Sequence, residues 1–376
     1  MKVSRLNDIK DICVKVPQSN GTTEDIHLQE LDSIESVLEL AEVARRVVMH
    51  DTADLIFRLF AKAQNGDADL DKLSERIPCL NKKYLPGLKQ FFNRSENAEI
   101  IQVYNSSTDK KQKRELRNQI NSRLIDYVAR NIETKDLQYN FSKFKYKFDI
   151  DARSLTEGMA KQKKISQAAA KVYKLNVDDP FIMSVFHIWM DYIEKRTKEK
   201  REAYWLLIKD SAGKIIGMTF ISSRVLNDKL VGKNIIGHSG QILDPSVQGK
   251  GYISVIKSVM IDFMYDHMDP GVAQDALFAT TCDEFNENSQ GLQIKSGATL
   301  LKDEEGNAII TSGKMHWYAT KDAIMNSELM KKTAERGVKY TVSYADGRPR
   351  YTKNVGGSKP VEIIDMNIKG LNNDRL

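Results

Sequence analysis

Cysteine is scarce and scattered in this chain. Cys13, Cys79 and Cys282 are the only three among 376 residues, far apart and odd in number. That spacing excludes a disulfide framework and a Cys-x-x-Cys metal site, and it suits reduced thiols in a cytosol-like compartment. No apolar run approaches the roughly 20 residues that a bilayer-spanning helix requires. Met1 to Lys10 lacks the apolar core of a secretory signal, so a cytoplasmic protein is expected. Internal repeats and low-complexity tracts are missing too. Charge of one sign is not abundant: Lys and Arg number 57 against 51 Asp and Glu, a net +6. Such an excess suits an anionic small ligand and does not demand nucleic acid. What remains is an ordinary globular composition, 41% hydrophobic and 29% charged, in a chain long enough for two domains.

The first 135 residues read as a mainly helical domain. Two alternating stretches, 12–16 and 25–29, flank Pro17-Gln18-Ser19-Asn20-Gly21 as a short hairpin. From Ser33 to Ala63 the period turns helical. Leu38, Val43, Val47, Leu55, Leu59 and Ala63 share one broad apolar stripe, expected as two helices parted near His50. Thr108 or Asp109 is the predicted N-cap of a helix running to about Asn131, with Leu116, Ile120, Leu124 and Val128 on its apolar face. This helix opens on Lys110-Lys111-Gln112-Lys113-Arg114. Without interleaved aromatics the run reads as a solvated face and gives no strong nucleic-acid or membrane signal.

Beyond residue 135 the texture changes. Phe144 to Ile150 alternates as a strand, and helical stretches follow at Leu155 to Tyr173 and Pro180 to Lys200. Ala203 to Lys209, Lys214 to Ser222 and Lys233 to Leu243 read as three strands. A glycine turn leads into an amphipathic helix from Ile253 to Met268. Then come a strand at Ala276 to Thr281, a helix at Asn286 to Ser296, and strands at Ala298 to Lys302 and Lys314 to Thr320. In the tail, Val338 to Tyr344 and Pro349 to Asn354 flank Ala345-Asp346-Gly347-Arg348 as a hairpin. That hairpin either extends the sheet of the second domain or docks on the first. The expected organisation is a helical domain at 1–135, a second domain at 136–325 and an extension at 326–376.

The turn itself, Leu243-Asp244-Pro245-Ser246-Val247-Gln248-Gly249-Lys250-Gly251-Tyr252-Ile253, carries the most chemistry. A strand that breaks into glycines and restarts as a helix aims several N–H groups at one point, where the helix dipole favours negative charge. Gly249 and Gly251 remove side chains that would hold a phosphate off the backbone. A second segment runs Asn286-Glu287-Asn288-Ser289-Gln290-Gly291-Leu292-Gln293-Ile294-Lys295-Ser296-Gly297-Ala298. The first segment resembles the Gln/Arg-x-x-Gly-x-Gly/Ala turn of the GNAT superfamily, the acyl-CoA-dependent N-acetyltransferases. The second resembles that family's Asn, small residue, Lys and Gly pattern at Asn286, Ser289, Lys295 and Gly297, with Ala298 replacing an aromatic. The resemblance covers about residues 144–321. It implies an α+β fold, a mixed and mostly antiparallel sheet flanked by helices and splayed near the acyl-CoA site, beside the N-terminal helical domain.

By resemblance, the backbone of Gln241, Ile242 and Leu243 pairs with the pantetheine arm of acetyl-CoA. After Gln248, the amides of Gly249, Lys250, Gly251, Tyr252, Ile253 and Ser254 hold its pyrophosphate, and the Leu243 amide polarises the thioester carbonyl. Asn286, with Ser289, contacts the pantetheine arm or orders a water. Acetyl-CoA is then the co-substrate and an amine the acceptor, with no metal. The long helical extension favours a protein or other macromolecular acceptor over a metabolite. Lys250 either adds charge near the phosphates or is a solvated loop residue. Ile253 stands where the family has Gly or Ala, and either crowds the pyrophosphate or points into the core. Gln293 replaces a tyrosine that serves many members as general acid, so the thiolate leaves unaided or another group serves; Tyr252 comes too early on its helix to substitute. His238 is the first candidate general base and Glu284, beside Asp283, the second; the plainer reading of His238 is a strand histidine bonded to a neighbouring carbonyl. Cys282 lacks a local histidine partner and reads as a buried strand-end thiol. Gln293 and Ile253 also keep open a degenerate acyl-CoA-binding sensor or scaffold without turnover.

Overall fold

The structure, a computed structural model, describes residues 9–18, 20–137, 157–197, 203–222, 226–228, 233–236, 239–266, 276–311, 313–344, 350–357 and 361–363. It divides into two compact units, one of residues 1–40 with 188–376 and the other of 41–187. The expected boundary at 135 therefore moves. The first 40 residues do not belong to the helical unit, because both edges of their hairpin are taken by strands from much later in the chain. β1 (Ile9–Pro17) and β2 (Thr23–Glu30) pair with one another. β2 also pairs with β3 (Ala203–Lys209), and β1 with the distant tail.

Seven helices follow the hairpin among the described residues: α1 (Ile34–Gln64), α2 (Leu70–Leu73), α3 (Leu85–Phe92), α4 (Ser95–Ser106), α5 (Lys110–Asn131), α6 (Glu157–Val172) and α7 (Pro180–Thr197). The unit boundaries fall within α1 and α7. α1 passes His50 without the expected break, since no glycine or proline interrupts its stripe. Asp109 caps α5 as predicted, its carboxylate accepting from the Lys111 amide at 2.8 Å. Ile120, Leu124 and Val128 are buried, and Phe60 stacks on Phe92 at 4.2 Å. One charge lies deep in this unit. Asp54 is 4% exposed and takes hydrogen bonds from Arg58 (3.1 Å), Asn121 (3.0 Å) and the guanidinium of Arg117.

The other unit is built on two sheets. After β3 come β4 (Ile215–Ser222), β5 (Leu226–Asp228), β6 (Lys233–Ile236), β7 (Ser239–Leu243), α8 (Tyr252–Asp266), β8 (Leu277–Asp283) and α9 (Glu287–Lys295). Then follow β9 (Thr299–Leu300), β10 (Ile310–Thr311), β11 (Lys314–Ala319), α10 (Lys321–Met325), α11 (Glu328–Glu335), β12 (Lys339–Tyr344), β13 (Arg350–Asn354) and β14 (Val361–Ile363). The larger sheet is antiparallel throughout, in the order β14-β13-β12-β1-β2-β3-β4-β7. The smaller runs β10-β11-β8-β6-β5, with β9 also on β11, and only β6 and β8 are parallel within it. The tail hairpin thus extends the larger sheet rather than docking on the helices. The strand expected at 144–150 lies outside the described residues, and β2 is the strand beside β3.

α8 is buried along almost its whole length, from Tyr252 and then Val255 to Tyr265, which is why its sequence is apolar on every side. Its buried Asp262 and, at its end, Asp266 meet Lys353 of β13 at 3.0 and 2.7 Å, and the Tyr340 hydroxyl donates to Asp262 at 2.9 Å. No helix among the described residues is long and apolar enough to cross a membrane.

Burial pushes the Asp54 carboxyl up, but Arg117, Arg58 and Asn121 outweigh it and hold the group below its ordinary value. A depressed carboxyl contributes stability that is present above its unfolded value of about 3.9 and lost as pH falls through the folded one. Arg117→Ala leaves the buried carboxylate short of a partner and is expected to cost about 3 kcal/mol in urea unfolding at neutral pH. The deficit should begin to shrink as pH falls below about 4, where the unfolded carboxylate protonates, and disappear only below the lower folded value. A deficit unchanged with pH would mean that lost packing, not charge, carries the effect.

Candidate active site

Strand 233–243, expected as one element, occurs as two strands with different neighbours. β6 pairs in parallel with β8 at Ile235↔Leu277 and Ile236↔Phe278. β7 pairs with β4 instead, from Ile221↔Ser239 to Gly217↔Leu243. Past Phe278 the two sheets part, and among the described residues no strand pairs with the facing edges of β7 and of β8 beyond that point.

Backbone alternation settles which groups line that gap. The Asp244 amide donates to Ile216 O of β4 at 2.8 Å, so Ile242 and Gly240 also turn their polar groups toward β4. Gln241 and Leu243 turn theirs toward the gap. On the other wall, the Glu284 amide bonds Gly313 O at 3.2 Å, which directs Cys282 and Thr280 toward β11. Ala279, Thr281 and Asp283 therefore present their backbone to the gap. β4 and β7 approach very closely at Gly217, where a Cβ would lie 2.2 Å from Ile242 O.

The glycine turn stands at the end of β7. Asp244, 4% exposed, accepts from the Ser246 amide (3.0 Å) and hydroxyl (2.7 Å), and Gln248 donates from its side chain to Leu243 O at 3.1 Å. Gly249 and Gly251 have φ of +83° and +80°, a left-handed conformation that a side chain resists. The first α8 bond recorded is Val255 N to Gly251 O, and no described residue accepts from the amides of Gly249 to Ser254. Ile253 is half-buried and packs against the hydrophobic core. Lys250 is exposed, with its ammonium 5.6 Å from the Tyr252 ring centre. The Tyr252 hydroxyl is bonded to Glu24 of β2, so it holds the helix start to the larger sheet. Burial first, and then Glu24, push that phenol far above its ordinary range.

Arg336 was not singled out from the sequence. It caps α11, its Nε donates to Pro17 O at 2.9 Å, and one terminal nitrogen lies 3.3 Å from where a Cβ on Gly251 would stand. A guanidinium thus flanks the unengaged amides. Its position 85 residues after Gly251 has no local signal; only the tertiary fold brings the two together.

The second motif holds α9 together. Asn286 is its N-cap, accepting from the Ser289 amide at 3.0 Å. Gly297 and Ala298 close its other end, donating to Ile294 O (3.0 Å) and Gln293 O (3.1 Å) in a Schellman arrangement. Part of the family-like pattern thus has a purely local cause. Gln293 is buried, and its Oε1 accepts from the Lys257 ammonium at 2.5 Å. Burial lowers that amine to about 7, against the opposing influence of Cys282.

Of the candidate bases, His238 lies outside the described residues. Glu284 is half-buried at the end of β8, its carbonyl accepting from Gln290 at 2.8 Å. The neighbouring Asp283 is 7% exposed, with Lys314 3.4 Å away and the Phe285 amide at 3.0 Å. Cys282 is buried with Trp317 Nε1 donating to its sulfur at 3.1 Å, and burial pushes the thiol up. That environment fits the inert thiol expected of it.

The sequence matches no protein-family model. It matches no curated protein. Solved structures do match. A ribosomal-protein-S5-alanine acetyltransferase from Vibrio fischeri is 19% identical over 39% of this chain and 75% of its own, with a TM-score of 0.28. A dodecameric spermidine N-acetyltransferase from Vibrio cholerae is 11% identical over 37% and 77%, at 0.27. RimJ from Mycobacterium smegmatis, in complex with CoA-disulfide, is 13% identical over 48% and 85%, at 0.31. Likeness this distant says nothing of substrate. The order β3, β4, β6, β7, α8, β8, α9, β9 and β11, with sheets that part after β6, agrees with the mixed, mostly antiparallel and splayed sheet expected from the sequence.

Gly217→Ala sets a methyl group against rigid backbone, so β7 must move away from β4. A loss of about 1–3 kcal/mol in urea unfolding is expected. Stability equal to that of the parent would show that the close approach is not required.

Proposed function

We propose that this chain is an N-acetyltransferase that moves an acetyl group from acetyl-CoA to an amine, on a protein or another macromolecule. The observation that carries this reading is the gap between β7 and β8, which ends at six amides without described acceptors. An extended thioester-bearing arm with a pyrophosphate at one end has the complementary pattern. The arm pairs with the edge of β7 at Gln241 and Leu243, and the pyrophosphate takes the amides of residues 249–254. Arg336 then adds charge-assisted bonding. The Leu243 amide, directed into the gap, is the donor for the thioester oxygen as charge develops there. The acceptor amine must arrive neutral, which calls for a base. His238 and Glu284 remain the proposed groups, both adjoining the gap in sequence: His238 immediately precedes β7 and Glu284 follows β8. The helical unit supports a macromolecular acceptor by its size alone.

Gln293 at the tyrosine position favours a second reading, an acyl-CoA-binding sensor or scaffold without turnover. Thiol release from acetyl-CoA in the presence of a panel of peptide and small amines separates the two. Binding without release would favour the sensor.

Calorimetric titration of acetyl-CoA into the protein is expected to show micromolar binding. Gly251→Glu should abolish it by placing an anion and a strained side chain in the cradle, and absence of binding to the parent protein would overturn the reading. Arg336→Ala is expected to weaken acetyl-CoA about tenfold or more, the size of a hydrogen bond to a charged group. It should also flatten the salt dependence of binding.

A further inference from the structure

The tip of the β1–β2 hairpin reaches both sides of the glycine turn. Val16 of β1 lies opposite Glu24 of β2, and Pro17 opposite Thr23. By strand alternation Glu24 continues the row of Ile26 and Leu28, both fully buried in the core that also takes in α8. Where that row ends, the chain carries a carboxylate in place of an aliphatic side chain. The carboxylate accepts from the Tyr252 hydroxyl, and Gln18 Nε2 donates to the same oxygen at 3.2 Å. On β1, the Pro17 carbonyl accepts from Arg336 Nε at 2.9 Å.

These two anchors bracket Gly251. Tyr252 follows it in the chain and is 1% exposed, while a terminal nitrogen of Arg336 lies 3.3 Å from where a Cβ on Gly251 would stand. Pro17 holds the guanidinium by Nε, and no described residue accepts from its terminal nitrogens. Glycines at 249 and 251 give the turn wide backbone freedom, so the aim of its amides is set from outside the turn. One hydrogen-bonded hairpin does this on both sides, with Tyr252 tied to β2 and Arg336 to β1.

We propose that Glu24 is a positioning residue for the acetyl-CoA site, acting through the Tyr252 hydroxyl to hold the cradle amides in place beside Arg336. This rests on the acetyltransferase reading above. Glu24 itself makes no bond to the ligand. Its effect is preorganisation: amides already aimed at the pyrophosphate lose less freedom when it binds.

Charge distinguishes this role from simple filling of space. A carboxylate beside the proposed phosphate cradle opposes the ligand, a cost that an aliphatic residue such as Ile26 would avoid. An aliphatic residue offers no acceptor to the phenol of Tyr252, whereas a charged acceptor makes the stronger bond. Burial, and then Glu24, keep that phenol protonated and therefore a donor. Glutamine at position 24 would retain an oxygen acceptor and remove the opposing charge; leucine would remove both.

The test needs no acceptor amine. CoA is titrated calorimetrically into the full chain and its variants, with circular dichroism to confirm that each is folded. E24L and Y252F are each expected to weaken CoA about three- to tenfold. The double variant should be no weaker than either alone, because both remove the same bond. E24Q should bind CoA at least as tightly as wild type, a rescue that general loosening of the fold would not produce. Wild-type affinity in E24L or in Y252F, or additive losses in the double variant, would overturn the proposal and leave the acyl-CoA reading intact. E24Q as weak as E24L would overturn it too. Failure of CoA to bind wild type would overturn both. If E24L does not fold, Y252F and E24Q decide by the same criteria.

Discussion

A β-strand has two edges, and each can satisfy one neighbour at a time. Residues 233–243 lie under that constraint. The first half gives an edge to β8, the second half gives an edge to β4, and the change of partner forces two sheets apart. The proposed acetyl-CoA site follows from that parting. Among the described residues it leaves backbone without a strand partner on both walls, fixes which residues face inward, and delivers the end of β7 to the glycine turn. An unpaired edge is ordinarily a liability in a folded protein. Here it is enclosed between two sheets of one unit, where a ligand rather than another chain can complete it.

α8 makes the enclosure stable. It is packed on all sides, and the two charged residues within its buried stretch are treated differently. Asp262 has a full complement of opposite charge and hydroxyl from Lys353 and Tyr340. Lys257, five positions earlier, faces an amide. Removing charge from water without a counter-ion is tolerated only by neutralising the group or by putting its field to work. For Lys257, burial lowers the amine to about 7, so neutralisation meets much of the cost.

Local periodicity made most elements legible. The Asp109 cap, the α5 stripe, the turn at Gly249 and Gly251, and the tail hairpin all depend on neighbours close in sequence. The gap's two motifs were visible for the same reason. Three features were not. The break of strand 233–243 into β6 and β7 reflects a change of partner, which no period within the strand records. The placement of β1 and β2 in the larger sheet depends on pairing with residues 203–209 and 339–344. Arg336 and Lys257 were missed because their significance is spatial: one lies beside Gly251 across 85 residues, and the other looks like a helical lysine until its burial is known. The expected break of α1 near His50 failed for the opposite reason, since a polar residue within a helix does not end it without a glycine or proline.

The pairing of β1 with β12 has a consequence for synthesis. Ile9 to Lys15 leave the ribosome well before their partners Lys339 to Tyr344. Roughly 300 residues separate the two, or on the order of 15–60 s of elongation at about 5–20 residues per second. Until then β1 lacks its outer neighbour, although β3, the partner of β2, and the whole sequence of the helical unit of 41–187 are made well before β12. The locally connected helical unit can therefore form before the larger sheet closes, and truncation before residue 339 should leave β1 with an unpaired, aggregation-prone edge.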